Sequence, residues 1–217
     1  MKKLFNIVPK YAYFPLIMAI VANTLVYNVS KLVTNNFVHY DFTMKIDGMI
    51  PLVSIFITVY IFCYIEWVIG YILIARESKD YCFYYVAADI VAKIICLICF
   101  CVIPTTYVRP ELGTGIFNSM IAFIYKVDGP VNLFPSIHCL ESWMCFRSSM
   151  KMQKVPKIYK MFTFIFAILT FLSVVFVKQH VFIDIIGGIL VIELGLWIAK
   201  KFDLKRLFVK TDTFFKK

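Results

Sequence analysis

Two ionisable side chains in the apolar run from Phe176 to Gly188 are spaced so that they can interact. His180 and Asp184 lie four residues apart, which on a helix places them one turn apart on the same face. A carboxylate in that position can accept the N–H of one imidazole nitrogen and leave the other nitrogen free as a nucleophile. The pair therefore predicts a nucleophilic histidine, although taken alone it also fits a structural hydrogen bond.

A second group of polar residues lies in the segment NLFPSIH, residues 132–138. Pro135 suits the first turn of a helix, where the backbone N–H groups have no intrahelical acceptor and attract anions. Ser136 adds a hydroxyl donor, and His138 can deliver a proton to a leaving oxygen. The segment predicts an anion-binding site with a general acid.

Two cations complete this set of candidate residues. Arg109 carries a planar guanidinium suited to phosphate oxygens, and Lys178 stands two residues before His180. Two histidines, a carboxylate, two cations and a helix start together suit phosphoryl transfer through a phosphohistidine. A zinc site formed by the histidines and Asp184 is an alternative by ligand type, but no HExxH pattern accompanies them. We expect neither a metal nor another cofactor.

The same residues resemble the motifs of the type 2 phosphatidate phosphatase superfamily of membrane lipid phosphatases and phosphotransferases. The family pattern is KxxxxxxRP, then PSGH, then SRxxxxxHxxxD, on a six-helix membrane core with its site at the outer face. Arg109-Pro110 matches the end of the first motif, and residues 135–138 match the second apart from its glycine. His180 and Asp184 match the end of the third.

The resemblance covers about residues 81–199 and implies a role for each matched residue. It makes His180 the nucleophile and Asp184 the residue that orients it, and it makes His138 the proton donor to the leaving group. It also implies that this segment is the catalytic core of the chain.

Three positions depart from the family pattern. Val102 and Val174 stand where the family has a lysine and an arginine, and Ile137 replaces the glycine. A site with fewer cations should favour a less charged phosphate, such as a diester. This adds weight to a head-group transferase similar to sphingomyelin and inositol phosphorylceramide synthases.

The composition of the chain is that of a membrane protein. Of its 217 residues, 61% are hydrophobic and 17% are charged, against roughly 25% charged in soluble domains. Five runs are long enough to cross a hydrocarbon core of about 30 Å: residues 11–33, 49–75, 81–107, 160–178 and 181–199. We expect an all-α integral membrane protein with a single membrane domain over residues 1–217, in which the first run is retained as a span.

Basic residues decide whether the more polar segment 136–150 also crosses. Of the 23 Lys and Arg residues, 17 lie before the first run, between the second and third, around 147–160, or from Lys200 onward. If segment 136–150 crosses, all 17 lie on one side, which the positive-inside rule makes the cytoplasm. We predict six transmembrane helices with both termini cytoplasmic and a short, shielded fourth helix. The bilayer then accounts for the net charge of +10, and no nucleic-acid partner is expected.

This topology places Arg109, His138 and His180 together on the extracytoplasmic face of the cell membrane. Between the third and fourth spans, residues 109–135 carry a helical apolar patch, which predicts a helix lying flat in the outer interface. The patch consists of Ile116, Met120, Phe123 and Ile124. Such a helix would cover the site.

The function expected from these features is hydrolysis of a membrane lipid phosphate. Transfer to an alcohol is the first alternative, because the covering segment could exclude water. A non-catalytic lipid transport module, whose intramembrane charges line a path, is the second. Asp89 and Lys93, four residues apart in the third span, are predicted to pair with each other, whereas Glu66 and Glu193 have no partner nearby in the sequence.

Overall fold

The structure is a computed structural model that describes residues 7–214, with side chains described as far as residue 212. Four lysines used in the charge count lie outside the described residues: Lys2, Lys3, Lys216 and Lys217. The described chain forms α-helices at Tyr13–Thr34 (α1), Lys45–Met49 (α2), Ile57–Glu77 (α3), Lys79–Val102 (α4), Ile116–Val127 (α5), Ile137–Lys151 (α6), Lys157–Phe176 (α7), Phe182–Lys201 (α8) and Lys205–Phe214 (α9).

The remaining regular structure is short. Single 3-10 turns at Lys10–Ala12 and Ser54–Phe56 precede α1 and α3. Two strands of two residues, β1 (Tyr40–Asp41) and β2 (Thr105–Thr106), pair in parallel. They join the loop after α1 to the loop after α4.

Among residues 7–214, five helices are long and apolar enough to cross a membrane: α1 and α3 with their preceding 3-10 turns, α4, α7 and α8. They correspond to the five apolar runs of the sequence. The expectation of an all-α chain is therefore confirmed, and the five long apolar helices are consistent with a multi-pass membrane protein. The burial of only part of each helix within the bundle leaves apolar side chains on the outside, where lipid can solvate them.

Helix α6 is shorter, with 15 residues, and it lies among the long helices. It packs against α3, α7 and α8. Its buried side chains include Glu141 and Ser148, which explains why hydropathy alone does not identify it. Neighbouring helices supply the environment that these polar groups need.

The connections between helices gather at two ends of the bundle. At one end, Lys154 Nζ donates to the carbonyl oxygen of Arg76 (2.8 Å), and Lys205 pairs with Asp80 (2.6 Å). These contacts bring the α3–α4, α6–α7 and α8–α9 turns together, and we call this the turn end.

At the opposite end, the N–H of Val53 donates to Phe176 O (3.1 Å) and that of Asn132 to Thr105 O (2.8 Å). We call this the loop end, which consists of residues 35–56, 103–136 and 177–181. The six helices α1, α3, α4, α6, α7 and α8 therefore run alternately between the two ends.

Gly188 allows the start of α6 to lie against α8. A Cβ at this position would overlap the carbonyl oxygen of Ser136 and lie 3.1 Å from both Cys139 Cβ and Leu140 N. Two of these three atoms belong to the backbone, which moves less easily than a side chain. Glycine is therefore required for this approach of the two helices.

We expect Gly188→Ala to reduce the free energy of unfolding by about 1–3 kcal/mol, because the added methyl overpacks a tight contact. The effect is measured by thermal unfolding in detergent, in which a thiol-reactive dye reports the exposure of the free cysteines. Gly48→Ala is the matched control, since a Cβ at Gly48 meets no atom within 4 Å. Equal unfolding midpoints for the two variants would contradict this account.

Candidate functional site

His180 lies in the short turn between α7 and α8. The backbone N–H groups of Gln179 and His180 both donate to Val174 O, at 2.9 and 3.0 Å, and so close the end of α7. Lys178 has a φ of 55°, a left-handed conformation that costs a residue with a side chain of order 1–3 kcal/mol. This turn directs the imidazole of His180 back toward the bundle.

Asp184 holds the His180 ring in place. Its Oδ2 lies 3.0 Å from His180 Nδ1 and also accepts the N–H of Val181 at 3.1 Å. With the carboxylate as acceptor, Nδ1 carries the proton and Nε2 is left free. The contact expected from the four-residue spacing is present, and the capping position of Asp184 in the first turn of α8 explains its fixed orientation.

His138 faces His180 from the first turn of α6, with 5.7 Å between the ring centres. Its ring lies over Tyr60 of α3, at 4.4 Å, and its Nε2 lies 2.9 Å from the hydroxyl of Tyr64. Both imidazoles are 9% exposed. The aromatic side chains of α3 therefore fix the second histidine much as Asp184 fixes the first.

A small cavity of about 60 Å³ lies between the two histidines and α1. Its lining includes Lys31, Tyr27 and Asp128. Lys31 donates to the Tyr27 hydroxyl, which in turn donates to Asp128 Oδ1 at 2.8 Å. The sequence reasoning missed Lys31, whose only signal was a lysine inside the first apolar run.

Arg109 lies half-buried between α5 and the His180 turn. Its guanidinium donates to Tyr125 O (3.2 Å) and to the side-chain carbonyl of Gln179, and it stacks over the Tyr125 ring at 4.3 Å. Burial lowers the pKa of Arg109, while the Asp128 carboxylate raises it. Its Nε is buried without a partner among the described residues, and Arg109 is not among the residues that line the histidine cavity.

Two residues expected to contact phosphate are placed differently. The Lys178 ammonium donates to Asp47 O (3.1 Å) and Ile50 O (2.5 Å), so it stabilises the end of α2 instead of pointing into the histidine cavity. Burial lowers the pKa of Lys178, and Asp47 raises it. Ser136 is fully buried as the N-cap of α6, where its Oγ accepts the N–H of Cys139 at 3.4 Å. Both side chains satisfy backbone groups at helix ends, and their contact with phosphate stays a prediction.

Asp47 is a further residue that the sequence reasoning missed. It is 4% exposed, its Oδ1 accepts the N–H of Phe182 at 2.7 Å, and its Oδ2 accepts the N–H of Met44 at 2.8 Å. It therefore binds the loop before α3 to the first residue of α8. A single acidic residue in a polar loop gives no sequence signal for this contact.

An ion network lies one helical turn below His138. The Lys93 ammonium donates to Asp89 at 2.8 Å, as the four-residue spacing predicted, and also to Glu141 of α6. Tyr71 donates to the other oxygen of Glu141 at 3.1 Å. The network joins α3, α4 and α6 inside the bundle.

Glu193 and Glu66, which have no partner nearby in the sequence, differ in their hydrogen bonding. Glu193 accepts hydrogen bonds from Trp143 Nε1 (2.8 Å) and from Arg147 Nη2 (3.2 Å), so a partner absent from its own helix comes from α6. Both carboxyl oxygens of Glu66 are buried without a hydrogen-bond partner among the described residues.

Within the described residues, no group of three or more His, Cys, Asp and Glu side chains is arranged to hold a metal ion. His138 instead meets Tyr64, and Asp184 serves His180 and the backbone.

Comparison of the chain with protein families, with curated proteins and with solved structures gives no match. The functional proposal therefore rests on the geometry of the two histidines and their neighbours.

We expect Asp47→Asn to reduce the free energy of unfolding by about 1–3 kcal/mol, because an amide has one acceptor oxygen and leaves a backbone N–H unpaired. Thermal unfolding in detergent measures the change. Asp41→Asn is the control, since exposed Asp41 uses a single oxygen, Oδ1, to accept the N–H of Thr43. If Asp47→Asn unfolds at the wild-type midpoint, Asp47 does not anchor the start of α8.

Proposed function

We propose that the protein is an integral membrane lipid phosphate phosphatase that acts through a phosphohistidine on His180. The observation that carries the proposal is the pairing of His180 with Asp184 while His180 and His138 line one small cavity. A cavity of about 60 Å³ has room for a few water molecules or one small anion.

In the proposed reaction, Nε2 of His180 attacks phosphorus and the bond from phosphorus to the lipid oxygen breaks. In this step His138 acts in its protonated form: it gives a proton to that oxygen, which leaves as an alcohol, and the imidazole becomes neutral. Asp184 stabilises the positive charge that develops on the His180 ring. Water, deprotonated by His138, then attacks the phosphohistidine and releases inorganic phosphate.

Two cations are available to stabilise the phosphoryl oxygens in this reaction. Arg109 approaches through its contact with Gln179 beside His180, and its Nε has an unused N–H. Lys31 reaches the cavity from α1. We propose that Lys31 takes the part first expected of Lys178, so that the site keeps two positive charges despite the valines in the family's cation positions.

We expect His180→Ala to reduce phosphate release at least about a thousandfold, because the attacking group is lost. The assay uses purified protein with a panel of phosphatidate, phosphatidylglycerophosphate and prenyl pyrophosphate, and an acid-labile ³²P label on the wild-type protein reports the phosphohistidine. His39→Ala is the control, since His39 lies in an exposed loop and bonds to Phe37 O.

Three results of that assay bear on the proposal. If the His180→Ala variant hydrolyses every substrate as fast as the wild type does, the proposed phosphatase mechanism is wrong. That result would favour the transport alternative. EDTA is expected to leave the rate unchanged, and inhibition by EDTA that zinc reverses would contradict the metal-independent mechanism.

Transfer of the phosphoryl group to an alcohol is the second candidate. The enclosure of the site favours transfer, because an enclosed site can exclude water. Both imidazoles are only 9% exposed, and the hydroxyl of Tyr125 in α5 donates to Val177 O at 2.8 Å. Diacylglycerol or ceramide added to the same assay would then yield a phospholipid product. Free phosphate as the sole product would exclude this candidate.

We infer six membrane crossings, with α6 as the fourth, both termini in the cytoplasm and the histidine site at the outer face of the cell membrane. Support comes from the alternation of six helices between the two ends and from the basic residues concentrated at the turn end. Helix α5 would then lie at the outer interface.

The face of α5 that meets lipid differs in part from the expected patch. Ile121 is buried, and Met120 and Ile124 pack on the bundle, whereas Ile116 and Phe123 are 72% and 65% exposed. The last two side chains are the ones available to enter the outer leaflet.

Labelling with a membrane-impermeant maleimide tests this orientation. A cysteine at Val108, which is 80% exposed at the loop end, should react in intact cells. A cysteine at Lys151, exposed at the turn end, should react only after permeabilisation. The unsubstituted chain gives the background from native cysteines, and the reverse pattern would overturn the proposed sidedness.

A further inference from the structure

A second cavity, of about 390 Å³, lies between α1 and α3 and is not used by the proposed reaction. Its size falls within the roughly 300–1,000 Å³ typical of small-molecule sites. Apolar side chains form most of its wall, and two of them, Ile20 and Val68, are 67% and 59% exposed. The cavity therefore opens sideways from the bundle, toward the hydrocarbon of a surrounding bilayer.

Tyr64 joins this cavity to the histidine site. The residue lines the cavity between α1 and α3. Its hydroxyl lies 2.9 Å from Nε2 of His138, the proposed proton donor to the leaving oxygen. The side chain of Tyr64 therefore stands between the larger cavity and the imidazole of His138.

The inner wall of the cavity is charged. Lys93 and Glu141 both line it, although they are only 1% and 3% exposed. The hydrogen bonds of Lys93 to Asp89 and Glu141 use two of its three ammonium protons. Because polar groups inside a membrane are costly unless they are paired, a third acceptor from a ligand would stabilise this wall.

The depth of the ion network suits an acyl linkage. Glu141 follows His138 by three residues, which is about 4.5 Å along a helix axis. In an acylated phospholipid, a carbonyl group follows the phosphate after a short glycerol or sphingoid linker, and a hydrocarbon chain follows the carbonyl. A prenyl phosphate has no carbonyl at that distance.

We propose that the cavity binds an acyl chain of the substrate lipid and that the chain's ester or amide carbonyl accepts a hydrogen bond from Lys93. This inference rests on the proposed function and narrows its substrate to acylated lipid phosphates. The phosphate lies at His180, the leaving oxygen at His138, the carbonyl at Lys93 and the chain between α1 and α3.

Binding is tested without reference to catalysis. Wild-type protein in detergent is photolysed with phosphatidate that carries a diazirine on its acyl chain, and the adducts are mapped by mass spectrometry. Adducts on α1 and α3 are expected, and excess dioleoyl phosphatidate should suppress them while phosphatidylcholine should not. Equal suppression by phosphatidylcholine means that bulk lipid fills the cavity, and this result overturns the proposal.

Variants that fill the cavity provide the second test. Asn23→Trp on α1 and Val68→Trp on α3 should abolish the adducts and raise KM for dioleoyl phosphatidate at least about tenfold, by loss of binding. Leu25→Trp is the matched control, since Leu25 is 52% exposed on the same helix and lies outside the cavity lining. If all three variants behave alike, the cavity does not bind the chain.

The carbonyl contact is tested with a dialkyl ether analogue of the same chain length. Loss of a hydrogen bond to a charged group should raise its KM about tenfold over the ester. Ceramide 1-phosphate tests whether an amide carbonyl serves equally well. Equal KM values for the ether and the ester refute the contact between Lys93 and the carbonyl group. Phosphate release that persists in the His180→Ala variant refutes the proposed function, but the adduct test of the cavity remains valid.

Discussion

The start of α8 has to satisfy its backbone N–H groups at a place where little water is available, and two carboxylates supply the acceptors. Asp184 accepts the N–H of Val181, and Asp47 accepts that of Phe182. The oxygen of Asp184 that caps the helix also binds Nδ1 of His180. The orientation of the histidine therefore follows from the stabilisation of a helix terminus, and any change that releases the cap also releases the ring.

The second histidine depends on the same terminus. The N–H of Ser136 donates to Asp184 O at 3.1 Å, and this bond places the first turn of α6 beside the first turn of α8. Gly188 lets the two backbones meet without a side chain between them. Because His138 follows Ser136 by two residues, the separation of the two imidazoles is set by backbone contacts, which vary less than contacts between side chains.

Local patterns in the sequence were enough to predict the five long helices and the contacts of His180 and Lys93 with carboxylates four residues away. Interactions between distant segments were not predictable. Lys178 donates to the carbonyl groups of Asp47 and Ile50, which lie 131 and 128 residues earlier. Tyr27, which accepts from Lys31, donates to Asp128, which lies 101 residues later. The apolar pattern of α5 predicted a helix but did not show which of its faces packs on the bundle, since apolar residues lie both on the packed face and on the exposed face.

Helix α6 depends on contacts with segments that precede it and segments that follow it in the chain. Helix α4 precedes α6, and within α4 Lys93 pairs with Asp89. Helix α6 brings Glu141 to that ammonium, but the Glu193 partner of its own Arg147 belongs to α8, which is translated later. These two ion pairs of α6 are therefore complete only after α8 has been synthesised, which makes the final packing of α6 a late step of folding.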